Sequence, residues 1–232
     1  MSLVLDDAIP QYASVASLAV SAAPLTLSCW VKSDDDALAQ CGVNLTDADS
    51  TFNYFAAIAD FATANNPAKA LCRDASNIFS SRDGLTINTW HHIVAVFVST
   101  ISRFVYLNGV AGAESTDLVA PAIAAIPTTA IGMMRDFTPQ DPFSGKIAEV
   151  AIYNAALSGA NVTSLYNAGA GTPATNVAGA NLVGYYKLID DLVDSIAAAN
   201  LTGSGSPTFD AGDHPVSHGG VGDVPLTISR VN

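Results

Sequence analysis

TWHHIVAVFVSTISRFVYLN, from Thr89 to Asn108, carries the reading of the fold. In an extended chain Trp90, His92, Val94, Val96 and Val98 share one face, and Ile93, Ala95 and Phe97 share the other. A period of two means a strand, and apolar residues on both faces mean a central strand covered on each side. Ser99 and Thr100 turn the chain back into Arg103–Leu107. Asn108-Gly109 then supplies two residues that tolerate positive φ, which marks a tight hairpin. A three-stranded meander is expected here.

The same period extends outward. Upstream, LTLSCWVK (Leu25–Lys32) sets Leu25, Leu27, Cys29 and Val31 against Thr26, Ser28 and Trp30, and NYFAAIADF (Asn53–Phe61) is a second strand candidate, weakened by its alanines. Downstream, DPFSGKIAEVAIYNAALS (Asp141–Ser158) places Phe143 for insertion into a core, followed by Gly145 for a bulge or a close backbone approach. Its strand is expected to direct Ala148, Val150 and Ile152 to one face and Ile147, Glu149, Ala151 and Tyr153 to the other. Ser158 can cap a short helix over residues 159–167, with Gly169 as its stop. A linker leads to LVGYYKL (Leu182–Leu188), another strand, and GSGSPTFDAG (Gly203–Gly212) holds at most one more. Many short strands and one helix predict an all-β sandwich of two antiparallel sheets, a jelly roll. Residues 1–212 would form it, and 213–232 would be an extended arm containing Gly and Pro.

Composition agrees. The chain has 232 residues, half of them apolar and 13% charged, which suits one sandwich and disfavours disorder or coiled coil. The most apolar stretch, residues 118–134, is broken by Pro121 and Pro127 and lacks the length of a membrane span. Lys32 is the first basic residue and Asp6 and Asp7 come early, so no secretory leader is expected. Cys29, Cys41 and Cys72 are odd in number and carry no metal spacing, as for reduced thiols in a cytoplasm. The sequons at Asn44, Asn161 and Asn200 are then chance matches. A net charge of −12 argues against nucleic acid as a partner. Of the 21 acidic residues all but Glu114 and Glu149 are aspartates, which favour turns.

Three ordered motifs resemble laminin G-like and pentraxin-like domains of the concanavalin A-like superfamily. They are TLSCWVK, the hairpin TWHHIVAVF…FVYLNGV, and the closing FSGKIAEVAIYNAALSGANVTSLYNAG. The segment LVGYYKLIDDLVDS…NLTGSGSPTF is similar to the piece that usually opens such domains, and here it comes last. A permuted arrangement is expected, with this segment filling the same edge from the C-terminal side. The resemblance further implies a stand-alone chain of the tailed-phage type: a non-enzymatic virion-surface subunit, for capsid decoration or tail adhesion, made in the host cytoplasm. Its partners would be other virion proteins, further copies of itself, or a host-surface glycan. The alternative is a soluble lectin module assisted by Ca²⁺.

Candidate sites follow from these readings. Hydrolysis by this kind of sandwich needs a carboxylate pair, and the paired-glutamate strand is missing, which leaves Asp190, Asp191 and Asp194, read as turn residues. Calcium would sit near IGMMRDFTPQD with Asp136 as a ligand, although Met133 and Met134 are poor neighbours for a hard cation. A glycan would be met near Asp34, Asp35, Asn53, Asp136 and Phe137. Trp30 and Trp90 are read as core. His91 is expected at an exposed or edge position, on the face opposite His92. In the tail, His214, Val216, Val221, Val224, Leu226 and Ile228 are expected to dock on a partner, with metal binding by His214 and His218 the lesser reading.

Overall fold

The alternating segments pair as strands in the computed structural model, which describes residues 1–8, 10–17, 20–123 and 126–218. Among these residues the strands are β1 (Ser2–Leu5), β2 (Tyr12–Val15), β3 (Leu25–Ser33), β4 (Ala39–Asp47), β5 (Tyr54–Asp60), β6 (Pro67–Arg73), β7 (Asn77–Asp83) and β8 (His91–Ser99). They continue as β9 (Ser102–Leu107), β10 (Val110–Ala111), β11 (Pro127–Ile131), β12 (Gly145–Tyr153), β13 (Leu182–Tyr186), β14 (Thr202–Ser204) and β15 (Thr208–Asp210). One α-helix, α1 (Gly159–Tyr166), follows β12. The first sheet runs β10-β9-β8-β3-β12-β1-β15, with β13 also on β12, and the second runs β14-β2-β11-β4-β5-β6-β7. The result is an all-β, two-sheet antiparallel sandwich of the expected class, and no described helix is long and apolar enough to cross a membrane.

The core lies where the inward sets of both sheets meet. Leu25, Leu27, Cys29 and Val31 of β3 and Ile93, Ala95 and Phe97 of β8 face Val43, Leu45, Phe55 and Ala57 of the second sheet. Phe55 meets Phe97 edge-on at 5.0 Å across the gap. Each large side chain removed from water there contributes roughly 1.5–3 kcal/mol. The meander forms as expected, with Asn108 and Gly109 both at positive φ in the turn. The three cysteines are buried free thiols.

Trp30 is buried as read and Trp90 only partly so, and both pack on the outer side of the first sheet. β8 is central, and its second apolar face, with Val94 and Val96, is covered by Leu157, Val162, Leu165 and Tyr185 on the outside of the first sheet. Trp90 lies on that outer side, half-buried, and Trp30 packs there against Ala148 and Val216. Neither lies between the sheets. Parity puts them there, because Cys29 and Val31 already take the inner face. His91 is buried rather than exposed, with the backbone N–H of Thr86 on its Nε2 at 3.0 Å and the Asn108 amide on its Nδ1.

β12 departs from strict alternation. Its pairing with β3 slips between Ala148 and Ala151, and Glu149 takes a φ of 55°. This one-residue bulge turns Ile147, Val150 and Ile152 into the core together, and sends Ala148, Ala151 and Tyr153 outward. The expected partition of that strand holds from Glu149 to Tyr153 and is reversed for Ile147 and Ala148. Gly145 has φ 116°, and a Cβ there would stand 2.2 Å from the Lys32 carbonyl oxygen, so the close approach read from the sequence is present. Ser158 caps α1 by accepting the Asn161 N–H, but the left-handed stop is Asn167 and not Gly169.

The last third of the chain completes both sheets. β13 lies on the same edge of β12 as β1, end to end with it, so LVGYYKL takes the edge position expected of a permuted segment. β14 then extends the second sheet beside β2, and β15 extends the first beside β1, two strands where one at most was expected. The described residues after β15, 211–218, stay on the body. Asp213 accepts from Lys32 at 2.9 Å, from Lys146 at 2.8 Å and from the Trp90 indole N–H at 2.6 Å. Val216 is buried on Trp30, and His214 packs beside Glu149. His214 and Val216, expected to meet a partner, therefore meet the chain's own first sheet. Val221, Val224, Leu226 and Ile228 lie outside the described residues.

Candidate functional site

Because Phe55, Ala57, Ala70 and Cys72 point into the core, the alternate residues of β5 and β6 must stand on the outer face of the second sheet. Register then sets them in rows. Thr46, Tyr54, Arg73 and Asn77 form one row across β4 to β7; Asn44, Ala56, Leu71 and Phe79 form the next; Cys41, Ile58, Lys69 and Ser81 a third. The loop joining β11 to β12 folds over the β4 side of this face. Met134 is buried there with Cys41, Tyr54 and Leu71. The Asn44 amide holds the loop by donating to the Met133 carbonyl at 2.7 Å and accepting the Arg135 N–H at 3.4 Å. What remains open is a groove of about 260 Å³, lined by Tyr54, Asp60, Lys69, Arg73, Phe79 and Asp141 among others.

The groove mixes aromatic surface with planar polar groups. Phe79 is 43% exposed and Lys69 Nζ sits 4.5 Å from its ring centre. At the near end, Phe52 lies under the Arg73 guanidinium, and Phe137 stands 66% exposed on the overlying loop. The Tyr54 hydroxyl donates to Asn77 at 2.8 Å, and burial pushes its pKa up to about 12, so it remains a neutral donor. Lys69 pairs with Asp60, which also accepts the Thr63 hydroxyl at 2.6 Å. Burial would raise the Asp60 pKa, but Lys69 and Thr63 outweigh it and hold the carboxylate ionised. Asp141 has its pKa pushed up to about 6, first by burial and then by the charges of Asp60 and Asp136. Arg73 Nε is buried with no hydrogen-bond partner among the described residues.

The residues named from sequence divide. Asp136 and Phe137 lie on the loop over the groove. Asp136, however, is 3% exposed and clasps its own loop, accepting the Thr138 N–H at 3.0 Å and the Gln140 amide at 3.3 Å. Its side chain is turned inward, away from the open position a calcium ligand at the rim would take. Asn53 sits at the head of β5 at φ 70°, with its side chain engaged by the Ala122 N–H. Asp34 and Asp35 belong to the β3–β4 turn, where Asp35 caps the Ala37 N–H; neither lines the groove. Asp194, weighed as a hydrolytic carboxylate, accepts the N–H groups of Tyr185 and Ile196 and so serves the turn after β13. Arg73, Asn77 and Phe79 were not read from the sequence at all.

Comparison with known proteins follows this geometry. The family model for the concanavalin A-like lectin/glucanases superfamily matches residues 7–163. A candidate carbohydrate-binding protein from Bacteroides ovatus superposes with a TM-score of 0.66 at 17% identity, over 93% of this chain and 61% of that one. The chain thus spans about three fifths of that protein's length. A heptameric SAP-like pentraxin from Limulus polyphemus gives 0.54 at 14% identity, over 71% of this chain and 80% of its own. The CBM40 of the Ruminococcus gnavus IT-sialidase, bound to α2,3-sialyllactose, gives 0.52 at 12% identity, over 61% and 82%. At these identities the likeness is one of fold. No curated protein matches the chain.

Proposed function

Because the chain belongs to the concanavalin A-like lectin/glucanase superfamily, we propose that it is a non-catalytic carbohydrate-binding module whose glycan lies in the groove on β4–β7. A sugar ring offers a C–H face and a fringe of hydroxyls, and the groove offers the complement: the Phe79 ring, with Tyr54, Arg73 and Asn77 in a row beside it. The observation that carries the reading is the exposed Phe79 ring set beside the polar groups of Tyr54, Lys69, Arg73 and Asn77 along one groove. The solved relatives named as carbohydrate-binding support the class of ligand, not its identity. A glycan array with the intact chain tests it, run with and without EDTA to reveal any dependence on Ca²⁺. Binding is expected, and Phe79→Ala should weaken it about tenfold, the equivalent of roughly 1.4 kcal/mol of ring contact. Silence from folded protein in both arms, or unchanged binding by Phe79→Ala, would refute the groove.

The setting we propose is the surface of a tailed-phage virion, with other virion subunits or further copies as neighbours. Its support is the resemblance together with the charge of −12, which keeps such a surface soluble and away from packaged DNA. Portal, capsid and tail genes are expected beside its own. A gene lying among polysaccharide-degrading functions instead would leave the free lectin module standing alone.

A further inference from the structure

On the opposite outer face of the sandwich, the β12 bulge presents Glu149, 4% exposed, to the segment that follows β15. The Tyr185 hydroxyl donates to Glu149 Oε2. The other oxygen, Oε1, faces His218 Nε2 at 2.6 Å and His214 Nε2 at 3.4 Å. One ligand atom from each of the three residues falls within a 4.8 Å cluster. His214 Nδ1 accepts the Val216 N–H at 3.2 Å and lies 2.9 Å from the Val216 carbonyl oxygen, so it has a partner whether or not it carries a proton. Nε2 faces a carboxylate oxygen and, at 3.2 Å, the Lys187 carbonyl oxygen. Two imidazole nitrogens and a carboxylate oxygen thus converge, and a metal ion would take the place of the protons between them.

The geometry points to Glu149, His214 and His218 as a binding site for Zn²⁺ that clamps residues 213–218 onto the first sheet. Two imidazoles and one carboxylate suit zinc and its first-row neighbours, whereas Ca²⁺ and Mg²⁺ prefer all-oxygen shells. A tetrahedral ion with bonds of about 2.0–2.1 Å separates its ligand atoms by roughly 3.3 Å, close to the 3.4 Å between His214 and Glu149, and the 2.6 Å between His218 and Glu149 has to open toward that spacing. The outer shell is present: Val216 orients His214, and Tyr185 orients the carboxylate. The remaining coordination position would face a surface cavity of about 750 Å³ lined by Met1, Ile189, Pro215 and both histidines.

The test uses the full chain without a polyhistidine tag, stripped with EDTA, desalted and titrated with Zn²⁺ against a chromophoric chelator. One equivalent is expected to bind with a Kd tighter than about 10 μM. Co²⁺ in its place should give the visible absorption of a four-coordinate N/O site, and Tm should rise with Zn²⁺ but not with Ca²⁺. Glu149 is buried and its removal could unfold the chain, so the variants are His214→Ala and His218→Ala. Each should weaken Zn²⁺ by more than the roughly 10–100-fold typical of outer-shell changes. Wild-type protein that takes up no Zn²⁺ in this range, or folded His218→Ala protein that binds it equally well, would overturn the assignment.

Discussion

Asp141 shows how one residue can carry a tension within the groove. Its carboxyl is buried near Asp60 and Asp136, and its pKa rises from 3.8 to about 6. The folded chain therefore takes up this proton more readily than the unfolded chain does. Stability gains as pH falls from about 6 to about 4, and above 6 the ionised group opposes folding. Asp141→Asn, which suits the positive φ of this position, should stabilise the protein at pH 7 by on the order of 1–3 kcal/mol and flatten the slope between pH 4 and 6. Urea unfolding at pH 5 and pH 7 measures both effects, and a variant that tracks the wild type at both values would contradict the account. None of this was visible in the sequence, because Asp60 and Asp141 are 81 residues apart and meet only through the fold. Ile147 and Ala148 were misread for a related reason. Alternation predicts a face for every residue of a strand, but a bulge resets the count, and no residue type in GKIAEVAIY marks where it falls.

At the scale of the element, β12 depends on Gly145. Its φ of 116° and the 2.2 Å clash that a Cβ would make with the Lys32 carbonyl leave no room for alanine. Gly145→Ala should cost about 2–4 kcal/mol, because β3 must move or the β12 register must yield. A fall in the denaturation midpoint at unchanged m-value is the expected readout, and a loss below about 0.5 kcal/mol would show that the strand end adapts freely. β3, β8, β9, β12 and β13 were legible because Val, Ile, Leu and aromatic residues alternate in them. β4, β6 and β7 were not. PAKALCR sends Ala68, Ala70 and Cys72 to the core, a register shift between Cys41 and Val43 interrupts AQCGVNLTD, and NIFSSRD is largely polar, so no clear hydrophobic alternation announces a strand. β4 and β6 are held by pairing on both sides, and β7, at the sheet edge, by β6 alone. The groove stands on them, which is why the family could be read from the chain and its candidate site could not.

For the whole molecule, residues 213–218 form a strap over the first sheet. Burial alone would raise the Asp213 pKa, but the hydrogen bonds from Lys146, Lys32 and Trp90 prevail and hold it well below the ordinary carboxylate range. A chain ending at Gly212 loses that anchor and uncovers Trp30. Its Tm is expected to fall by roughly 5–10 °C below that of a chain ending at His218. Equal melting of the two truncations would show that the strap contributes nothing to the fold. The cut after His218 is also the one that isolates the remaining tail, so any assembly defect belongs to the tail only if that cut produces it.

The end-to-end sharing of an edge by β1 and β13, with β14 and β15 beside the earliest strands, has a consequence for biosynthesis. At roughly 5–20 residues per second, β1 and β2 emerge from the ribosome about 10–40 s before the strands that flank them. Through that interval a nascent chain carries raw hydrogen-bonding borders on both of its sheets, open to pairing with another copy. Closure waits for the final strands, so high expression at elevated temperature should favour aggregates over folded protein.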